Sequence, residues 1–260
     1  ADLLSLYALP AAFWVVRTSS RCRLAPGAGL AGAALFAGLI SVGPQLAVQH
    51  REDASIRRFV RQLERNPERS AYGWEVLGQH YRRGGDLARE EEAFRNATRT
   101  SDSPRYPIRL AQIALQQQRY GEAENYLRQA LARDSTQALT WGMLGKTRLL
   151  LGDDEQGIAF LRKAVDLEPE NPVHYANLAL ARLQLGEATA AAKVVSLGIR
   201  RCRPTPRLYY VLGLIEDRRG NTREALAAFQ RVISLEAESP WSDRARQQID
   251  RLMRMPPPSP

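Results

Sequence analysis

Cysteine, histidine and lysine are all scarce in this sequence. Cys22 and Cys202 stand far apart with no CxxC spacing, which argues against a disulfide scaffold, a structural zinc site and a thioredoxin-like redox pair. Three scattered histidines (His50, His80, His174) argue against a histidine-built metal site. The lysines are Lys146, Lys163 and Lys193, so nearly all of the 37 basic residues are arginine, a skew expected of a GC-rich genome. No strand pattern and no glycine-rich phosphate loop occur, and no cofactor is expected. What is present is a 260-residue chain, 44% hydrophobic and 25% charged, enough for a packed core and against global disorder. The net charge is +9, but bases and acids alternate through the long C-terminal part. That is the pattern of solvated helix faces and not of a nucleic-acid binder, which gathers charge on one face and interleaves aromatics.

Residues 1–70 divide by composition. No charge occurs from Leu24 to Gln49, and 27–48 is apolar apart from Ser41 and Gln45. At about 1.5 Å per residue this run spans roughly 33 Å, enough to cross a hydrocarbon core. A retained transmembrane helix is therefore expected, with Leu30, Leu35, Phe36, Leu39 and Ile40 as its anchor side chains. A buried helix of a soluble protein and a cleaved signal peptide are the rival readings. Segment 1–26 contains a second, shorter apolar run, Leu3–Val16, interrupted by Pro10, followed by Arg17, Arg21 and Arg23. It reads either as the end of an earlier span or as an interfacial helix. The chain begins at Ala1, so an upstream part, missing or processed, is an open expectation. The three arginines between two apolar segments place the C-terminal part outside the cytoplasm, against the vote of Arg51, Arg57, Arg58, Arg61 and Arg65 on the other side. Segment 49–70 carries an Ile56, Phe59, Val60, Leu63 stripe at helical spacing and is expected to dock on the chain beyond residue 70, with a helix lying on anionic headgroups as the alternative.

From residue 71 onward a period of 34 residues governs the chain. Trp141-x2-Leu144-Gly145 is followed by Gly152-Asp153, Leu161, Ala164 and Pro169. The same grid finds Tyr175-x2-Leu178-Ala179 with Gly186 and Ala191, then Tyr209-x2-Leu212-Gly213 with Gly220-Asn221, Ala225 and Phe229. Backwards it finds Leu110-Ala111 with Ala123 and Leu127, and, one residue out of step, Trp74-x2-Leu77-Gly78-x2-Tyr81 with Gly85-Asp86, Phe94 and Ala97. Glu90 stands where the later units have a small residue, and Pro107 where they have an aromatic. Gly198 and Cys202–Pro204 predict a loose end to the fourth unit.

This pattern resembles the tetratricopeptide repeat. The resemblance implies an all-α chain: an N-terminal transmembrane helix followed by a right-handed α-solenoid of about five two-helix repeats, spanning 71–254 with a C-terminal capping helix at Ser242–Met253, and then a disordered proline-rich tail, 255–260. Each unit is too small to bury its own apolar face, so stacking supplies the core.

The clusters that invite chemistry do not assemble. Asp153-Asp154-Glu155 falls on an interhelical turn, His80 and His174 fall on distant units, and no catalytic constellation is found. The family resemblance implies instead a groove lined by the first helix of each unit. Leu139, Met143, Leu149 and Leu150, then Ala176, Leu180 and Leu183, then Tyr210 and Leu214 form an apolar strip on it. Arg82, Arg83, Arg105, Arg109, Lys146 and Arg207 edge that strip. Asn177 and Arg207 match two places of the carboxylate clamp found in some members, while Gly142 and Val211 depart from it. The expected groove set is Leu139, Met143, Lys146, Leu150, Asn177, Leu180, Arg207, Tyr210 and Leu214. The implied function is a non-enzymatic scaffold at a bacterial inner membrane, with the repeats on the periplasmic side. It would bind other proteins as an assembly factor or accessory subunit of a membrane complex. The alternative is the C-terminal part of a multi-pass envelope enzyme, glycosyltransferase-like, whose catalytic part lies upstream. Oligomeric state is not predicted.

Overall fold

The computed structural model describes residues 53–67 and 70–254, which fall into two units dividing after Arg65. The expected transmembrane helix 27–48 and its anchor residues Leu30, Leu35, Phe36, Leu39 and Ile40, together with segment 1–26 and tail 255–260, lie outside the described residues. None of the described helices is long and apolar enough to cross a membrane. The first unit contributes one described helix, α1 (53–65).

The second unit is a helical solenoid with no strand among its described residues. Its helices are α2 (Ala71–Arg83), α3 (Leu87–Thr100), α4 (Arg105–Gln116), α5 (Tyr120–Arg133), α6 (Ala138–Leu150), α7 (Asp154–Leu167), α8 (Pro172–Gln184), α9 (Ala188–Arg201), α10 (Pro206–Arg218), α11 (Thr222–Leu235) and α12 (Pro240–Arg254). Local chemistry sets many of these boundaries. Asp86, Asp153, Asn171 and Thr205 each accept a backbone N–H at a helix start, and Pro172 and Pro206 occupy first turns where a missing N–H costs nothing. Asp153 is thus a cap, which explains the acidic cluster at that turn. The connection inside a unit needs one residue at positive φ; Gly85, Gly152, Gly186 and Gly220 supply it, and in the second unit Gln118 does so at φ 59°.

Within each unit the two helices close on small residues. A Cβ on Gly145 would stand 2.8 Å from the Gly157 carbonyl oxygen, and one on Gly213 2.5 Å from the Phe229 ring. Between units the core is continuous: Leu161, Tyr175, Leu178, Val195, Leu208, Val211 and Ile215 form one buried cluster across α7 to α10. Ala245 and Leu252 of α12 close the far end against Phe229 and Val232. Fully burying a side chain such as Phe229 contributes about 1.5–3 kcal/mol relative to leaving it exposed.

Three sequence oddities find physical explanations. Pro107 replaces an aromatic, but its neighbour Tyr106 is buried and bonds Glu75 instead. Glu90 is fully buried and takes both Nε and Nη2 of Arg109 on one oxygen. At the end of the fourth unit the irregular stretch is confined to 202–205. The helix runs unbroken to Arg201, Gly198 sits against the Tyr175 ring, and Cys202 is buried at the helix end.

Candidate functional site: the outward face of the first helices

The anchoring residue of each first helix is Trp74, Pro107, Trp141, Tyr175 or Tyr209. Residues two before it, and two, five and nine after it, lie within a stripe about 60° wide on the opposite side of the helix, at 100° per residue. On α2 the stripe reads Tyr72, Val76, Gln79, Arg83, and on α4 Arg105, Arg109, Gln112, Gln116. On α6 it is Leu139, Met143, Lys146, Leu150, on α8 Val173, Asn177, Leu180, Gln184, and on α10 Arg207, Val211, Leu214, Arg218, with Asn177 and Val211 buried where neighbouring first helices meet. Not one position is acidic, although acids are abundant elsewhere in the chain. That omission separates this face from the mixed surface around it.

The middle of the stripe is apolar and open. Leu139 and Leu150 are each 56% exposed and sit eleven residues apart on α6, nearly in line along its axis. Met143 between them is half-buried against a cluster that includes Leu144 and Phe160. Leu180 and Leu214 are half-buried, and both line a cavity of about 420 Å³ shared by α8, α10 and α12. Leu183, Gln184, Asp217 and Arg218 line it too, and Gln248 and Arg251 of α12 add a wall that reading first helices alone had missed, with Arg251 paired to Asp217.

Other expected groove residues are buried or half-buried. Leu149 packs against Gly157, Ala176 is fully buried, and Leu183 is buried in the main cluster. Tyr210 is half-buried, with its ring 5.6 Å from Phe229 and 5.5 Å from Trp241. The Tyr210 ring thus helps hold α10 to α11 and α12.

Lys146, Asn177 and Arg207 occupy the stripe on three successive first helices. Arg207 Nη2 donates to Asn177 Oδ1 at 2.6 Å, and its guanidinium lies 5.7 Å from the centre of the Trp241 ring. Its Nε is buried with no hydrogen-bond partner among the described residues. Burial pulls the Arg207 guanidinium below its usual range. Burial, and then the positive charge of Arg207, pull Lys146 down as well. Neither forms an ion pair among the described residues, so a donor-rich, acid-free spot with an unused buried N–H is left on this face. An incoming carboxylate would satisfy that donor and favour both charged forms.

At the other end of the stripe a cavity of about 550 Å³ is lined by Glu75, Gln79, Arg82, Arg83, Arg105 and Arg109, with Phe94, Tyr106, Ile108 and Gln112. The sequence set its arginines at the groove edge and marked Glu90 as a glutamate where the other repeats have alanine or glycine, but did not pair it with Arg109. No group of three histidine, cysteine or acidic residues suited to a metal ion occurs among the described residues.

Family models for the tetratricopeptide repeat match residues 46–104, 108–172 and 206–239, together more than half of the chain. No curated protein matches. Solved structures do. One is PilW, a widely conserved type IV pilus biogenesis factor, with 18% identity and a TM-score of 0.59, covering 78% of this chain and 96% of that one. A thermophilic repeat protein of Thermus thermophilus gives 17% identity and 0.58, covering 71% and 100%. YrrB, a repeat protein with an unusual peptide-binding site, gives 16% and 0.51, covering 73% and 97%. At these identities the likeness is one of fold.

Proposed function

The chain belongs to the tetratricopeptide-repeat family, whose members generally mediate protein–protein interaction, and from that premise we propose that it is a membrane-tethered scaffold. It holds a partner protein on the outward face of its first helices, as an assembly factor or accessory subunit of a membrane complex. The observation that carries this reading is the pair Leu139 and Leu150, open to water on a stripe whose own positions carry no acid, Glu75 and Asp217 lying beside it in ion pairs with Arg105 and Arg251. Exposed apolar side chains gain nothing in an isolated protein, whereas a covering partner removes their surface from water at roughly 25 cal/mol per Å². The partner segment is apolar or amphipathic and brings at least one carboxylate to Lys146 and Arg207. The tether is the uncharged run 27–48, at a bacterial inner membrane, with the repeats on the periplasmic side; this part of the reading rests on residue pattern alone.

Replacing Leu139 and Leu150 by glutamate tests the face without touching the core. Co-purification of the main partner in mild detergent should be lost, while helical content and Tm stay nearly unchanged. Retention of the partner by this variant at wild-type levels would remove the groove from the account. Met143 and Leu180 are poorer choices, because both are packed against buried residues and their replacement would mix binding with stability.

A further inference from the structure

The cavity between the first two repeats has a chemistry of its own. Four guanidinium groups line it. Two are held in place: Arg105 by Glu75 at 2.7 Å, and Arg109 by fully buried Glu90 and by the Gln112 side chain at 2.9 Å. The other two, Arg82 and Arg83, are exposed at the end of α2 and form no ion pair among the described residues. With Glu75 and Glu90 counted against the four arginines, a net charge of +2 remains. Its aromatic residues, Phe94 and Tyr106, are buried and offer no face on which a base could stack.

We propose that this cavity binds the carboxylate side chains of an acidic peptide segment. Arg105 and Arg109 spend part of their donor set on Glu75, Tyr106, Glu90 and Gln112, so they supply fixed positive charge and their remaining N–H groups, with little side-chain entropy lost on binding. Two free arginines at the rim supply the charge that the resident glutamates leave uncompensated. A nucleic acid is the poorer fit, because the wall lacks a stacking platform. Taken with the reading of the face under Proposed function, on which this last step rests, the site also orients the partner. Its acidic stretch lies over the first two repeats and its apolar stretch over the third to fifth.

The test is fluorescence anisotropy on the full chain with a labelled decapeptide of alternating glutamate and alanine. Comparison probes are its glutamine analogue and a single-stranded oligonucleotide. The acidic peptide should bind, weaken as salt rises, and outcompete both comparison probes. Arg82→Glu with Arg83→Glu should weaken it at least about tenfold, or 1.4 kcal/mol. The same reversal at exposed Arg200 and Arg201 on α9 should leave it unchanged. Equal loss at both places, equal affinity for the glutamine analogue, or tighter binding of the oligonucleotide would each overturn the proposal. If the doubly reversed chain does not fold, Arg82→Gln with Arg83→Gln is read instead, with the same expectation in smaller measure. The Leu139→Glu, Leu150→Glu variant separates the two readings. It should keep the acidic decapeptide while losing the partner, so failure of the apolar face and failure of the cavity give different results.

Discussion

Sixteen residues after its anchoring ring, the first repeat places Glu90 where the others place Ala123, Gly157, Ala191 and Ala225. One position further on, the first two repeats have Glu91 and Glu124, and the last three have Ile158, Ala192 and Leu226. Glu91 is held by Arg95 at 2.6 Å and Arg119 at 2.5 Å, and Glu124 by Arg128 and Arg148. Ile158 and Ala192 instead pack on the large apolar cluster, and Leu226 on the cluster at the C-terminal end. One backbone plan is therefore joined by charge pairs at its start and by apolar contact at its end. Apolar contact tolerates small errors of geometry. A buried ion pair does not, because the desolvation of each charge is offset only while the other is present.

The largest effect expected from this difference is at Arg109. Arg109→Leu leaves Glu90 buried, uncompensated and with one oxygen already lacking a partner. The loss should be about 3–5 kcal/mol, seen as a fall in the denaturant midpoint followed by circular dichroism. Adding Glu90→Ala, the residue type of the second, fourth and fifth repeats, should recover most of it. A single variant that loses less than about 1 kcal/mol would mean that water reaches Glu90, and the contrast between the two regions would narrow.

Next in size is a steric test of the close approaches. A Cβ on Gly145 would meet Leu161 Cγ at 2.7 Å and, at 2.8 and 2.9 Å, two backbone atoms that cannot move aside. On Gly78 and Gly213 the nearest atoms all belong to one phenylalanine ring, Phe94 or Phe229. Gly145→Ala should therefore cost more than either Gly78→Ala or Gly213→Ala, within the range of about 1–3 kcal/mol expected for overpacking. Equal losses of Tm at all three positions would show that the third repeat opens as easily as the ends.

The sequence carried the solenoid plainly, because a small residue, a turn glycine and an anchoring ring recurring every 34 residues have few other physical meanings. It carried the face less well. Helical spacing places Leu149 and Leu150 side by side, yet one is packed on Gly157 and the other is open to water, a distinction set by how the two helices of the unit approach. Tyr210 was similarly ambiguous until α12 brought Trp241 against it. The ion pairs that cross between helices in the first two repeats, Glu90 with Arg109, Glu91 with Arg119, Glu124 with Arg148 and Glu75 with Arg105, join residues from 19 to 30 positions apart, and only the fold shows which arginine meets which glutamate.

The smallest expected effect lies at the turn of the second repeat. Gln118 adopts φ 59° where four other repeats use glycine at φ 75° to 83°. An L-residue in this region costs roughly 1–2 kcal/mol, whereas glycine adopts it freely but loses more entropy on folding, about 0.5–1 kcal/mol. Gln118→Gly should thus gain a net of about 0.5–1 kcal/mol and raise Tm by about 2 °C. The backbone bonds of the turn, Gln118 N–H to Leu115 O at 3.0 Å and Arg119 N–H to Ala114 O at 2.8 Å, involve no side chain of Gln118 and survive the change. Gln118→Ala should gain nothing, since its Cβ meets the same steric limit. A gain with alanine equal to that with glycine would place the cost in the glutamine side chain and not in the backbone, and the second repeat's turn would then be no different from the others.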